Sequence, residues 1–290
     1  MKENIQEILQ KVDNLQYNFH IAVKVSKLLD DYNVSINELT RLIEADQALT
    51  VKLLKHCNSA EYGFSRRITT VKDAIAKLGF KTLKTMIFTI VTKSSFNQEI
   101  KGYGLEKGEL WRNSVSCAVY SRYLAKLINY IDPDQAFTAG LLRDVGKLVL
   151  HEYVRKDYDE IERLVNEENI TFSEAEEKII GLNHCQIGAL VAEKWNFPQI
   201  LIDTIKYHHN PEKADQETCE DMDLLKIIHF ADYLAVILGY GIGKDGMMQE
   251  IDMDCVESLG HPLCRENMES LMSDIVNLNS EIELLISNLE

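Results

Sequence analysis

The chain has 290 residues, 46% of them hydrophobic and 27% charged, with a formal net charge of −15. That length and composition exclude a disordered chain and allow one large or two modest domains around a buried core. The acidic balance excludes broad coating of DNA, RNA or anionic lipid, which requires a basic footprint, so nucleic acid is expected as a partner only through a local patch.

From the N-terminus, Met1 to Leu15 is polar and amphipathic, without the continuous apolar run of a leader. No stretch of the sequence approaches the ~18 apolar residues of a membrane span. A cytoplasmic protein without membrane contact is expected. Apolar residues recur at three- and four-residue spacing and only four prolines interrupt them, so the fold class is all-α, a multi-helix bundle. The period predicts helices near 3–13, 20–31, 36–45, 47–58, 71–78, 81–97, 107–130, 134–142, 144–154, 157–168, 173–180, 184–195, 199–209, 222–238 and 266–288. Ser35 with Glu38 and Ser173 with Glu176 have capping-box spacing, and Thr70 with Asp73 is a near variant. Gly79 and Gly181 close periodic segments as left-handed caps. Breaks fall at Gly102-Tyr103-Gly104 and in the Gly239–Gly246 loop. They divide the chain into an N-terminal helical half (1–104), a second half carrying the candidate site (105–245) and a C-terminal helical extension (246–290). The last predicted helix either packs on its own chain or pairs with a neighbour.

In the first half, Asp46 is placed to cap the helix that starts at Gln47, and Leu49, Leu53, Leu54 and Cys57 form one apolar stripe. Asn58, Ser59 and Gly63 suit a turn that returns Tyr62 and Phe64 over that stripe. The surrounding sequence is basic, with nine Lys or Arg against Glu61 and Asp73 over residues 50–93. Two readings stand: solvated helix faces, or a docking surface for an anionic partner that includes Arg66, Arg67, Lys81 and Lys84. The six cysteines form no Cys-x-x-Cys pair. Cys57, Cys117 and Cys185 lie among apolar helical positions, as buried reduced thiols do.

The second half carries five separated elements on predicted helices: Asn113-Ser114; Arg143-Asp144 with Lys147 one turn on; His184; His208-His209; and Asp232. Helix-borne side chains in this order can converge inside a bundle. Gly241-Ile242-Gly243-Lys244-Asp245-Gly246 matches Gly-x-Gly-x-x-Gly but follows a helix and not a strand, so it is no dinucleotide fingerprint. Neither a Gly-x-Ser-x-Gly elbow nor a phosphate-loop Gly-Lys-Ser/Thr occurs.

Leu141-Leu142-Arg143-Asp144-Val145-Gly146-Lys147 resembles the Leu-Leu-His-Asp-Ile-Gly-Lys frame of metal-dependent phosphohydrolases of the HD superfamily, in which the adjacent His and Asp ligate metal. Arg143 stands where that histidine would be, and Asn113 where these hydrolases have a further histidine. A guanidinium has no lone pair for a metal and keeps its charge. At about 4 Å and an effective dielectric near 20 it repels a unit charge by roughly 4 kcal/mol, doubled for a dication. Two placements of Arg143 are open: turned inward to neutralise Asp144 or Asp232 in the cation's stead, or turned out to solvent with Asp144 capping a helix.

The first half is the more specific signature. Ala45-Asp46-Gln47-Ala48-Leu49-Thr50, Asn58-Ser59-Ala60, Tyr62-Gly63, Ala74-Ile75 and Leu78-Gly79 resemble the HDOD family of HD-related output domains over residues 15–240. Gln47 departs from the proline the family favours. The resemblance implies an all-helical HD-like bundle in bacterial signalling, generally without demonstrated hydrolase activity and often in two-component or cyclic di-GMP pathways. The chain is thus expected to be a non-catalytic regulator that binds other signalling proteins or a small signalling ligand, with no cofactor. The alternative is a divergent phosphohydrolase or phosphodiesterase acting on a nucleotide or cyclic dinucleotide. A single divalent metal, if present, would use Asp144, His184, His208, His209 and Asp232.

Overall fold

The computed structural model describes residues 19–29, 31, 34–59, 62–241, 243 and 251–288. The helix predicted over 3–13 and most of the Gly241–Gly246 stretch lie outside the described residues. Among the described residues the fold is all-α, with no strand beyond an isolated bridge between Ile100 and Leu105. No helix there is long and apolar enough to cross a membrane.

The N-terminal layer comprises α1 (residues 19–29), α2 (Ile36–Glu44), α3 (Gln47–Cys57) and α4 (Val71–Phe96). Ser35, Asp46 and Thr70 cap α2, α3 and α4 by accepting from the backbone N–H three residues on. Leu49, Leu53 and Cys57 form the buried stripe of α3. Asn58 then fixes the turn: its amide donates to the Leu54 and Ile68 carbonyls and its oxygen accepts from Ile68 N–H. Inside α4, Gly79 sits at φ 72°, ψ 169°, a non-helical conformation that breaks the run between the two helices predicted on either side of it. Phe19 of α1 stacks on Trp195 at 4.7 Å and ties this layer to the second half.

His56 is 2% exposed, lies edge-on to Tyr62 and leaves Nδ1 without a hydrogen-bond partner. Burial, with Lys93 nearby, lowers its pKa to about 4. The folded chain therefore binds fewer protons here than the unfolded chain between pH 4 and 6.5. This contribution is complete above pH 6.5 and is lost as pH falls toward 4. Urea melts should show about 2 kcal/mol less stability at pH 5 than at pH 7 from this group, and that difference should be missing in His56→Gln.

The second half is built on α5 (Glu109–Leu127), α6 (Pro133–Leu142) and α12 (Met222–Ile237), which pack on one another. These helices bury residues around most of their circumference, as expected at the centre of a bundle. α7 (Lys147–Lys156), α8 (Tyr158–Glu168), α9 (Phe172–Ile180), α10 (His184–Lys194) and α11 (Gln199–Tyr207) wrap this centre. After a short α13 (Met253–Glu257), the helix expected over 266–288 is instead two, α14 (Met268–Asn277) and α15 (Asn279–Asn288). Asn277, Asn279 and Ser280 flank the break, and such side chains compete for backbone hydrogen bonds. These helices pack on their own chain: Tyr123 donates to Asp274 at 3.0 Å, Arg122 pairs with Glu281, Arg112 pairs with Glu283, and Lys93 donates to the Ile286 carbonyl at 3.2 Å.

Candidate functional site

All five sequence elements of the second half meet between α5, α6, α10, α11 and α12. Asn113 lies in the first turns of α5, Arg143 caps the C-terminus of α6 and Asp144 sits in the turn leading to Lys147, the first residue of α7. Asn183 and Gln186 form a capping box that starts α10 at His184. His208 is the C-cap of α11, His209 follows it, and Asp232 projects from within α12. Gly146 sets the depth of the meeting point. A Cβ there would lie 1.9 Å from the His184 carbonyl oxygen and 2.7 Å from Gly188 N, so only glycine lets the α6–α7 turn press onto the first turn of α10.

Arg143 turns inward and is fully buried. Its Nε donates to Asp232 Oδ1 at 2.6 Å, Nη1 donates to the Gly140 carbonyl at 3.0 Å, and Nη2 donates to Asn113 Oδ1 while standing 3.0 Å from Asp144 Oδ2. Asn113 in turn donates to the Tyr240 carbonyl at 2.9 Å. Lys147 Nζ pairs with the other Asp144 oxygen at 2.9 Å. The guanidinium thus bridges the two aspartates. A metal held by both would stand about 2.0–2.2 Å from their oxygens, inside the volume that Arg143 fills. The two-metal arrangement of the HD hydrolases does not fit these residues.

The imidazoles gather on the other side of Asp144. His184 Nε2 is 3.6 Å and His208 Nε2 3.8 Å from Asp144 Oδ1, and His184 Nε2 is 3.1 Å from His209 Nε2. His209 Nδ1 faces Asp232 Oδ2 at 3.4 Å, and its side chain, 20% exposed, opens the cluster toward solvent. Two members escape the sequence reading. Cys185 Sγ stands 3.9 Å from His208 Nε2. Glu176, fully buried, accepts from the His184 backbone N–H at 3.0 Å, lies 2.7 Å from His184 Nδ1, and accepts from the Tyr103 hydroxyl. The spacing of Ser173 and Glu176 suggests a capping box, but the cap of α9 is Thr171, which forms its box with Glu174. Ser173 is buried inside the helix. Thr171-x-x-Glu174 carries the same signature two residues earlier, and its choice frees Glu176 for the pocket.

Electrostatics follow from this packing. Burial would raise the Asp144 carboxyl, but Arg143, then Lys147 and the imidazoles, outweigh it and hold it well below the usual range. Asp232 is also held low against its burial, chiefly by Arg143 and then by His209. Burial pushes the Cys185 thiol up, yet His184 and His208 bring it down to about 6. His184 is raised well above an ordinary histidine despite burial, by Cys185 and Glu176. His209 is pushed well below by burial and by His208. One proton shared across the His184–His209 contact satisfies both directions.

The basic residues singled out in the first half are less united. Arg66 and Arg67 are exposed in the segment before α4. Lys81 and Lys84 line a separate cleft with Thr138, Pro198 and Leu201, where Lys81 pairs at 3.0 Å with Asp132.

Relatives agree with the helical architecture. An HDOD domain protein of unknown function from Geobacter sulfurreducens is 26% identical with a TM-score of 0.65, over 93% of this chain and 90% of that one. A signal-transduction protein candidate from Marinobacter aquaeolei VT8, 20% identical, shares the fold at a TM-score of 0.70 over 93% of this chain and 58% of that one. An uncharacterized protein of Treponema pallidum is 25% identical over 215 residues, 72% of this chain and 40% of its own, so the chain spans well under half of that relative. The HDOD domain model matches residues 18–211, a span that takes in both the Asn58 turn and the Arg143–Asp144 pair, and on that match the chain belongs to the HDOD domain family.

Proposed function

We infer that this chain is a non-catalytic signalling protein that works by binding a partner protein or a small signalling ligand. The observation that carries the reading is the buried Arg143 guanidinium bridging Asp144 and Asp232. Metal-dependent phosphoryl hydrolysis needs cations there to generate hydroxide and to shield the leaving group. A guanidinium neutralises the same carboxylates but cannot coordinate a water and turn it into hydroxide. Family membership supports a place in bacterial signalling, and the resemblance extends this to two-component or cyclic di-GMP pathways in the cytoplasm. A divergent phosphohydrolase is the competing reading, favoured by the intact group of His184, His208, His209 and Asp144. Incubation with nucleotides and cyclic dinucleotides in Mg2+, Mn2+ or Zn2+ should give no turnover above background. Hydrolysis that disappears in Asp144→Ala would overturn the assignment.

A further inference from the structure

Two arginines of α5 hold α15 by its flanks. Arg122 pairs with Glu281 and Arg112 with Glu283. The two arginines stand about 15 Å apart along α5, enough to embrace a helix about 10–12 Å wide. At about 100° per residue, Glu281 and Glu283 border the two sides of a stripe formed by Ile282, Leu285 and Ile286. Those three are the buried apolar side chains of α15. Lys93 of α4 makes a third contact by donating to the Ile286 carbonyl at 3.2 Å. That carbonyl is among the last of its helix, which lack an intrahelical partner, and the dipole favours a cation there. Width, charge and direction of the bound helix are all read.

The surface is built without α15. The Arg122 guanidinium lies 4.6 Å from the centre of the Phe137 ring, and the Lys93 ammonium 5.8 Å from that of Trp111. Aromatic faces attract cations and so hold both in place. The occupant, in contrast, is lightly held. α15 has 10 residues, fewer than the about 12–15 below which a helix is marginal alone in water. Its two ion pairs are partly exposed, and such pairs contribute little. The segment lies beyond the HDOD match, which ends at residue 211. Residues 266–290 carry six Asp or Glu and no Lys or Arg, so the charge of this occupant is of one sign.

We propose that the α4–α5 surface under α15 is the docking site for an acidic amphipathic helix of a partner protein, which displaces α15 and repeats its pattern. That pattern is acidic, apolar, acidic, one free position, then two apolar residues. The proposal rests on the partner-binding reading given above and names the chemistry of the partner.

The test uses the full chain and a fluorescent peptide spanning residues 268–288. In Glu281→Lys/Glu283→Lys the chain's own helix meets like charge at both arginines, which opens the site. This variant should bind the peptide about 10-fold tighter than the unaltered chain, whose tethered helix competes at an effective concentration in the mM range. Arg112→Glu repels the chain's own Glu283 and should prefer a peptide carrying Glu283→Arg over the natural one by about 10-fold. The Glu281→Lys/Glu283→Lys chain should show the opposite preference. Such an exchange separates docking from general loosening, since damaged packing weakens both peptides together. No saturable binding, equal affinity for the unaltered and charge-reversed chains, or one preference in both variants would each overturn the proposal. Dimerisation of the unaltered chain that Arg112→Glu abolishes would give the surface to a second copy and overturn it as well. Failure of this test leaves the non-catalytic reading intact, because turnover alone decides that.

Discussion

Arg143→Ala is expected to cost about 3–5 kcal/mol, because removal of one partner of a buried ion pair leaves the other charge uncompensated. Here two carboxylates, Asp144 and Asp232, lose a shared partner at once, and the Gly140 carbonyl and Asn113 Oδ1 lose their donor. Lys147 pairs with Asp144, and His209 Nδ1 faces Asp232 at 3.4 Å, a weaker contact than the one removed. Urea melts at pH 7 should register the loss, with a fall in Tm on the order of 10 °C. The triple variant Arg143→Met/Asp144→Asn/Asp232→Asn should regain much of it, since the whole charged group is then replaced. Equal stability of Arg143→Ala and the unaltered chain would mean that the guanidinium is dispensable and would remove the basis of the functional reading.

Gly146→Ala should be nearly as severe, at about 3 kcal/mol or more. Overpacking a core normally costs about 1–3 kcal/mol when side chains can adjust. The added Cβ here meets backbone, the His184 carbonyl and Gly188 N, and two backbones can be relieved only by moving α10 away from α7. The same displacement pulls His184 from Asp144. Gly79→Ala is the control. That site has φ 72°, ψ 169° and no atom within 4 Å of an added Cβ, so only the strain of a backbone region essentially confined to glycine applies, roughly 1–3 kcal/mol.

The helical class and order of elements were legible because the apolar period persists through buried and half-buried segments alike. The candidate pocket was legible because its members come in a fixed order on successive helices and turns, which Asn113, Arg143, Asp144, His184 and Asp232 preserve. Glu176 was hidden by a coincidence: Ser173 and Glu176 have capping-box spacing, and the hydrogen bonds between Thr171 and Glu174 show that Thr171 is the cap. Cys185 was hidden because a thiol in an apolar helix ordinarily packs as a small hydrophobe. The long C-terminal helix was over-extended since Leu278 continues the apolar period across a backbone break. The Lys81–Asp132 pair spans 51 residues, a separation at which local charge patterning carries no information.

The two groups of charges in the second half stand on opposite sides of the water boundary. Arg143, Asp144, Lys147 and Asp232 are sealed, whereas Arg112 with Glu283 and Arg122 with Glu281 are between about a quarter and a half exposed. Mobile ions shorten the reach of surface charges to about 8 Å at physiological strength and barely enter the interior. Brine therefore slackens the hold of α15 on α5 while the guanidinium bridge keeps its grip, and the terminal helices become one part of the fold that registers ionic surroundings.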